Sequence, residues 1–196
     1  MRRYNIINKY INKYDYKSYL EIGVHRGKCF DRINIENKTG VDPDEFSRAT
    51  VFMTSDDFFK QLDKEERYDI IFLDGMHKSP QLLIDIFNSL KHLEEGGTII
   101  CHDISPRSEK YQEVPRTQRG WNGNIWRDFV MLRILREDLE AFTIDCDEGI
   151  GIIRKGESEN FDIECPLIYK NLEENRKEWL NLISPEYWLK TMEDEI

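Results

Sequence analysis

Five groups of polar residues stand immediately after predicted strands: Glu21-Ile22-Gly23-Val24-His25-Arg26-Gly27, Asp42, Ser55-Asp56, Asp74-Gly75-Met76-His77 and His102-Asp103. Open α/β sheets bind ligands outside the carboxyl ends of their strands, so these groups are the candidate chemistry of the chain. Asp42 can accept both hydroxyls of a ribose, which suits a nicotinamide dinucleotide and an adenosyl cofactor equally. Ser55-Asp56 could bond an adenine amino group or only cap a helix. Gly23 and Gly27 are spaced GxxxG and lack the third glycine of the dinucleotide fingerprint. That turn therefore suits a ligand lying across it without a pyrophosphate, and a nicotinamide-dependent oxidoreductase is disfavoured.

Asp74, His102 and Asp103 together offer oxygen, nitrogen and oxygen ligands to a divalent ion, with the imidazole weighing against Mg²⁺ and leaving Mn²⁺ or Zn²⁺ open. Without a metal, His102-Asp103 reads as an imidazole oriented by a carboxylate, a general base. His77, with an ordinary imidazole pKa of about 6.5, is the leading proton acceptor, against the plainer reading that it only bonds the turn before the next helix. Caps and turns are likewise the plain reading of Asp74 and Asp103. His25 reads as a backbone-positioning residue and His92 as a surface residue complementing a helix end.

The elements that must position these residues alternate. Tyr4, Ile7, Tyr10, Ile11 and Tyr14 form the stripe of a packing helix. A strand over 18–24 runs into the glycine turn and a short helix over 27–33. Short strands over 39–42 and 49–54, a helix from Ser55 to about Lys64, and the nearly continuous apolar run Tyr68–Asp74 follow. Ser79-Pro80 opens a helix that reaches Leu93 and stops at Gly96-Gly97, ahead of a strand over 98–102. A polar loop over 104–121, a helix over 124–137 and a terminal hairpin over 141–145 and 150–154 complete the pattern.

The expected fold is thus α/β and Rossmann-like: a doubly wound, mostly parallel seven-stranded sheet with a terminal antiparallel hairpin, an N-terminal helix and a helical C-terminal appendage. The expected division is a catalytic domain over 1–156, with the helix in 1–17, and an appendage over 157–196. The appendage holds 11 acidic and 4 basic residues together with Trp179, Tyr187 and Trp188, as expected for a docked segment or a contact with a second subunit in a homodimer.

The chain has 196 residues, 28 Lys and Arg, 38 Asp and Glu and a formal net charge of −10. Such a surface repels nucleic acid. The chain holds no run long enough to span a membrane and no signal-peptide apolar region, so a cytoplasmic protein is expected, without membrane partners. Its four cysteines are scattered singly, which suggests neither a zinc site nor a disulfide framework.

The ordered set EIGVHRG, GVDPD, TSDDFF, YDIIFLDGMHKSP and LEEGGTIICHD resembles class I S-adenosylmethionine-dependent methyltransferases over roughly residues 17–155. More closely, it is similar to the subfamily containing macrocin-type sugar O-methyltransferases. The resemblance implies that Glu21, Gly23, Val24 and Gly27 border the methionine part of S-adenosylmethionine, with Glu21 near its amino group. It also implies that Asp42 holds the ribose, Ser55 or Asp56 the adenine edge, and that Asp74 borders both cofactor and reacting centre. His77, Asp74 and Asp103 would then be catalytic, and Asp74, His102 and Asp103 the ligands of any Mg²⁺ or Mn²⁺. In the polar loop and just beyond it, Arg116, Arg119, Trp121 and Trp126 combine fork donors with aromatic faces, which suits a sugar, glycan or other polar small-molecule substrate. A catalytically silent cofactor- or glycan-binding module is the alternative.

Overall fold

The computed structural model describes residues 1–158 and 161–194. Its elements are α1 (Arg3–Tyr14), β1 (Ser18–Ile22), a 3₁₀ turn (Phe30–Arg32), β2 (Asn37–Val41), α2 (Ser55–Gln61), β3 (Tyr68–Leu73), α3 (Gln81–Lys91) and β4 (Leu93–Cys101). Then come α4 (Glu109–Gln112), α5 (Trp126–Leu135), β5 (Leu139–Ile144), β6 (Ile150–Lys155), α6 (Tyr169–Trp179), β7 (Leu182–Ile183) and α7 (Pro185–Asp194). The strands form one sheet in the order β2-β1-β3-β4-β6-β5-β7. Neighbouring strands are parallel except where β6 runs antiparallel to β4 and β5.

The apolar runs of the central strands are buried on both faces, and their period of two divides the core. Leu20, Ile22, Ile71, Leu73, Ile99 and Cys101 pack against α2, α3, α5 and α6 on one face. Tyr19, Ile70, Phe72 and Ile100 meet Ile6, Ile7, Tyr10 and Ile11 of α1 and Trp188 of α7 on the other. Chain order reverses between β1 and β3, so a crevice opens at their carboxyl ends.

The seven strands are not quite those expected from sequence. Residues 49–54 make a single bridge, Val51 to Val41. This segment lies beyond the sheet's edge with Thr50 and Phe52 exposed, so little apolar surface holds it there. The seventh strand is instead β7, paired with the end of β5. The helix expected over 27–33 shrinks to one 3₁₀ turn, whose Phe30 carbonyl accepts from Lys38 Nζ at 2.9 Å. Gly96-Gly97 does not stop α3, which ends at Lys91; both glycines lie in β4, where pairing with β3 shifts register and a Cβ on Gly97 would lie 2.8 Å from the Asp69 carbonyl. The polar loop contains α4, and α5 begins later than expected because Asn124 turns its Oδ1 to the Ser79 amide at 2.8 Å. His92 is buried rather than on the surface, with Nδ1 2.9 Å from the Glu66 carbonyl and its ring stacked on Phe59.

No helix among the described residues is long and apolar enough to cross a membrane. Trp188 is fully buried, lies 6.0 Å from the Tyr10 ring and donates to its hydroxyl at 3.4 Å, joining α7 to α1. Trp188→Ala is expected to cost about 3–5 kcal/mol. Urea unfolding measures this, and a loss below about 1 kcal/mol would show that α7 is not part of the cooperative core.

Candidate active site

A cavity of about 1180 Å³ opens over the carboxyl ends of β1, β2, β3 and β4. At its centre the β1 and β3 chains come close: Gly23 has φ +91, and a Cβ there would lie 2.2 Å from the Asp74 carbonyl oxygen. Only glycine allows this approach. The ladder continues past the strand ends, with Asp74 N donating to Ile22 O at 2.9 Å and His102 N to Leu73 O at 3.0 Å, so both side chains are fixed by the sheet.

Of the residues expected around a cofactor, Glu21, Gly23, Val24, Asp42, Ser55, Asp56 and Asp74 line this cavity and Gly27 does not. Gly27 is buried at φ +70 against Arg48 and Asp31, where it shapes the turn. Asp42 accepts from the backbone amides of His25 at 2.8 Å and Asp44 at 2.9 Å, which aims its carboxylate. Thr54, not Ser55 or Asp56, caps α2 by accepting from Asp57 N, which leaves Ser55 and Asp56 at the cavity wall. Glu21 is buried on the same face as Tyr19, whose hydroxyl donates to it. Burial pushes the Glu21 carboxyl up to about 8 against that hydrogen bond, and Asp74 adds to the rise.

Asp74, His77, His102 and Asp103 meet as one cluster. His102 Nδ1 lies 3.1 Å from Asp74 Oδ1 and 3.2 Å from Asp103 Oδ2. His77 Nε2 lies 3.3 Å from Asp74 Oδ1, and its Nδ1 3.3 Å from Asp103 Oδ2 and 3.4 Å from the Trp121 carbonyl. Asp103 takes the left-handed backbone conformation at φ +61 and its Oδ1 accepts from Asn122 Nδ2 at 2.8 Å, so its carboxylate is held toward both imidazoles. Burial opposes charge on His102, yet Asp74 and Asp103 outweigh it and raise its pKa to about 10. His77 is likewise raised despite burial by the same two carboxylates. Asp74 is held well below the usual carboxylate range against its own burial, by His102 first, then His77 and Arg3.

Two residues at this centre have no signature in the sequence. Arg3, at the start of α1, donates from NH1 to Asp74 Oδ2 at 2.7 Å, and the same nitrogen lies 3.1 Å from His102 Nδ1. Asp147, in the turn between β5 and β6, accepts from the Arg3 backbone amide at 2.9 Å and from its Nε at 3.0 Å. Burial opposes ionisation of Asp147, but the Arg3 amide and guanidinium together with Arg2 hold its pKa at about 2. The basic N-terminus and the period of α1 are visible in the sequence; that its first turn reaches the strand ends is not.

The substrate-side expectations divide. Arg119 lines the cavity. Trp121 does not line it but stacks on His77 with ring centroids 5.5 Å apart and donates from Nε1 to Glu113 O at 2.6 Å. Arg116 sits over the Trp121 ring and bonds the Gln118 and Arg119 carbonyls, bracing the loop. Trp126 is a correction: it is fully buried, stacked on Trp179 and bonded to Gln112 Oε1, because its place in the first turn of α5 faces the core.

Asp74, His102 and Asp103 offer ligand atoms within 4.8 Å of one another, a donor set of suitable type for a divalent ion. The Arg3 guanidinium, however, already donates to Asp74 and stands 3.1 Å from His102 Nδ1. With that guanidinium in place the residues do not fit a metal.

Residues 20–104 match a family model described as a methyltransferase domain. The fold is that of a methyltransferase domain. It is shared with a Podospora anserina methyltransferase holding S-adenosylhomocysteine (TM-score 0.59, 15% identity, 79% of this chain and 78% of that one). A Bacillus cereus O-methyltransferase in complex with the same product (TM-score 0.57, 15% identity, 78% and 80%) is similar. So is an O-methyltransferase of tomaymycin synthesis from Streptomyces achromogenes with S-adenosylmethionine (TM-score 0.59, 14% identity, 78% and 79%). No curated protein matches the sequence.

A Cβ on Gly123, at φ +69, would lie 1.7 Å from the His77 carbonyl oxygen. Gly123→Ala is therefore expected to displace His77 and to destabilise the protein by more than about 1 kcal/mol, a fall in Tm of roughly 2–4 °C or more. A thermal scan with an unchanged Tm would show that this loop does not hold His77.

Proposed function

We propose that the protein is an S-adenosylmethionine-dependent O-methyltransferase whose acceptor is a hydroxyl of a polar small molecule of the sugar or glycan class. The observation that carries this reading is one continuous cavity in a methyltransferase fold, lined by Gly23 and Asp42 as well as by the Asp74, His77, His102 and Asp103 cluster. Its volume of about 1180 Å³ exceeds the roughly 300–1,000 Å³ usual for one small ligand and leaves room for an acceptor beside a cofactor. The polar acceptor is supported by the cavity lining outside the expected cofactor residues, where Arg2, Arg119 and Glu148 offer donors and acceptors.

The cofactor, when bound, supplies an electrophilic methyl group. Glu21 would meet its ammonium group, Asp42 its ribose hydroxyls, and Ser55 or Asp56 the adenine edge. Gly23 provides the open floor at the crevice, since a side chain there would collide with Asp74. His77 is the proton acceptor in this reading. Its Nδ1 faces a carbonyl and a carboxylate, both acceptors only, so Nδ1 keeps its hydrogen, and Nε2, 3.3 Å from Asp74 Oδ1, is the nitrogen that exchanges a proton. When an acceptor hydroxyl is methylated, Nε2 would take its proton, and Asp74 and Asp103 would stabilise the resulting imidazolium. Trp121 holds the ring by stacking.

Calorimetric titration with S-adenosylhomocysteine tests the reading, with micromolar binding expected and absence of binding removing it. Asp42→Ala should weaken that binding by about 1–3 kcal/mol. Unchanged affinity would take Asp42 out of the ribose site. Because burial holds the Glu21 carboxyl up at about 8 and it must be ionised to meet an ammonium group, binding at pH 7 should release close to one proton and tighten as pH rises toward 8. Titrations in buffers of different ionisation enthalpy read the proton count; none released would separate Glu21 from the ligand. His77→Ala should leave product affinity intact and slow turnover about 100-fold or more. Equal rates would end its role as the base.

A further inference from the structure

The acidic centre carries a cation of its own. Arg3 is rooted by two contacts to Asp147, one from its backbone amide at 2.9 Å and one from Nε at 3.0 Å, before its NH1 reaches Asp74 Oδ2 at 2.7 Å. The same NH1 stands 3.1 Å from His102 Nδ1. Asp74 and His102 are two of the three residues whose ligand atoms lie close enough together for one ion. A divalent ion needs contacts of about 2.0–2.2 Å to such donors, inside the space this guanidinium nitrogen fills. It would also stand against a fixed positive charge, beside the buried His102 and Asp103.

We propose that the Arg3 guanidinium takes the position of a divalent cation at Asp74, His102 and Asp103, so that the centre keeps a fixed positive charge while being closed to metal. This rests on the methyltransferase reading for its consequence, a methyl transfer indifferent to chelators, but the occupancy itself depends only on the side chains named. The tether is suited to the task. Asp147 is a residue of the sheet's own hairpin, and its hold on the backbone of α1 fixes where the side chain starts. The guanidinium is planar and permanently charged, so one edge can serve Asp147 while another serves Asp74.

The experiment is titration with Mn²⁺, followed by loss of the paramagnetic resonance signal of the free ion, on wild type, Arg3→Ala, Arg3→Met, Arg3→Lys and Arg3→Ala/Asp74→Asn. All variants keep the backbone amide that bonds Asp147, and Arg3→Met also keeps the stem that packs beside it, which guards against loss of α1; near-ultraviolet circular dichroism checks folding. Wild type and Arg3→Lys are expected to take up no stoichiometric Mn²⁺. Arg3→Ala and Arg3→Met should bind one equivalent at least 100-fold more tightly than wild type, and Asp74→Asn in the double variant should abolish it. One equivalent bound tightly by wild type would overturn the proposal, and so would neutral variants that bind no better than wild type. Titration of the same wild-type sample with S-adenosylhomocysteine separates the two ideas. Failure to bind that nucleoside sinks the methyltransferase reading, whereas only the Mn²⁺ results bear on Arg3.

Discussion

The site depends on how negative charge is balanced where water is scarce. Glu21, Asp74, Asp103 and Asp147 converge on one cavity, and a carboxylate in such surroundings stays ionised only beside compensating cations. Three of the four have them. Asp74 and Asp103 share the two imidazoles, and Arg3 bridges Asp74 to Asp147. Among the described residues Glu21 is bonded by neutral side chains, the Tyr19 hydroxyl first, and burial pushes its carboxyl toward the neutral form. The uncompensated carboxyl marks where a cationic ligand group would be welcome, and the compensated ones mark where the protein has already provided the charge.

Each layer of the fold serves that balance. The parallel strands put Asp74 and His102 side by side at adjacent ends, and the reversal of chain order at β1 and β3 leaves the crevice beside them open. The hairpin of β5 and β6 presents Asp147 from the far side. Helix α1 lies on the sheet by Ile6, Ile7, Tyr10 and Ile11, and that packing carries its first turn to the carboxylates. Apolar contact thus decides where the charged contact falls. The loop after β4 does the same for His77, with Trp121 as its platform and Gly123 giving its backbone room.

Much of this is legible in the sequence because it is local. Two-residue alternation and short apolar runs locate β1, β3, β4 and the hairpin, and the position of polar residues just past strand ends singles out Asp74, His77, His102 and Asp103. What escapes depends on partners distant in the chain. Arg3 meets Asp74 and Asp147 across 71 and 144 positions, and no periodicity records such a meeting. Residues 49–54 have strand-like composition but lie beyond the sheet's edge, so they form one bridge instead of a ladder. Gly96-Gly97 carries the chemistry of a helix stop yet serves a register shift within β4. Trp126 and Trp121 look alike in sequence, and only their positions on α5 and on the loop separate a core residue from the platform of an imidazole.

The bond between Trp188 and Tyr10 spans 178 positions of the chain, and Lys13 likewise donates to the carbonyls of Thr191 and Met192. Helix α1 leaves the ribosome before the sheet it rests on and α7 after it, so the face that receives α1 is incomplete through most of the synthesis of this domain. Contacts of such long range close only after the chain between them exists. The residues translated ahead of the sheet are therefore secured only once it exists, and with them the guanidinium at the acidic centre.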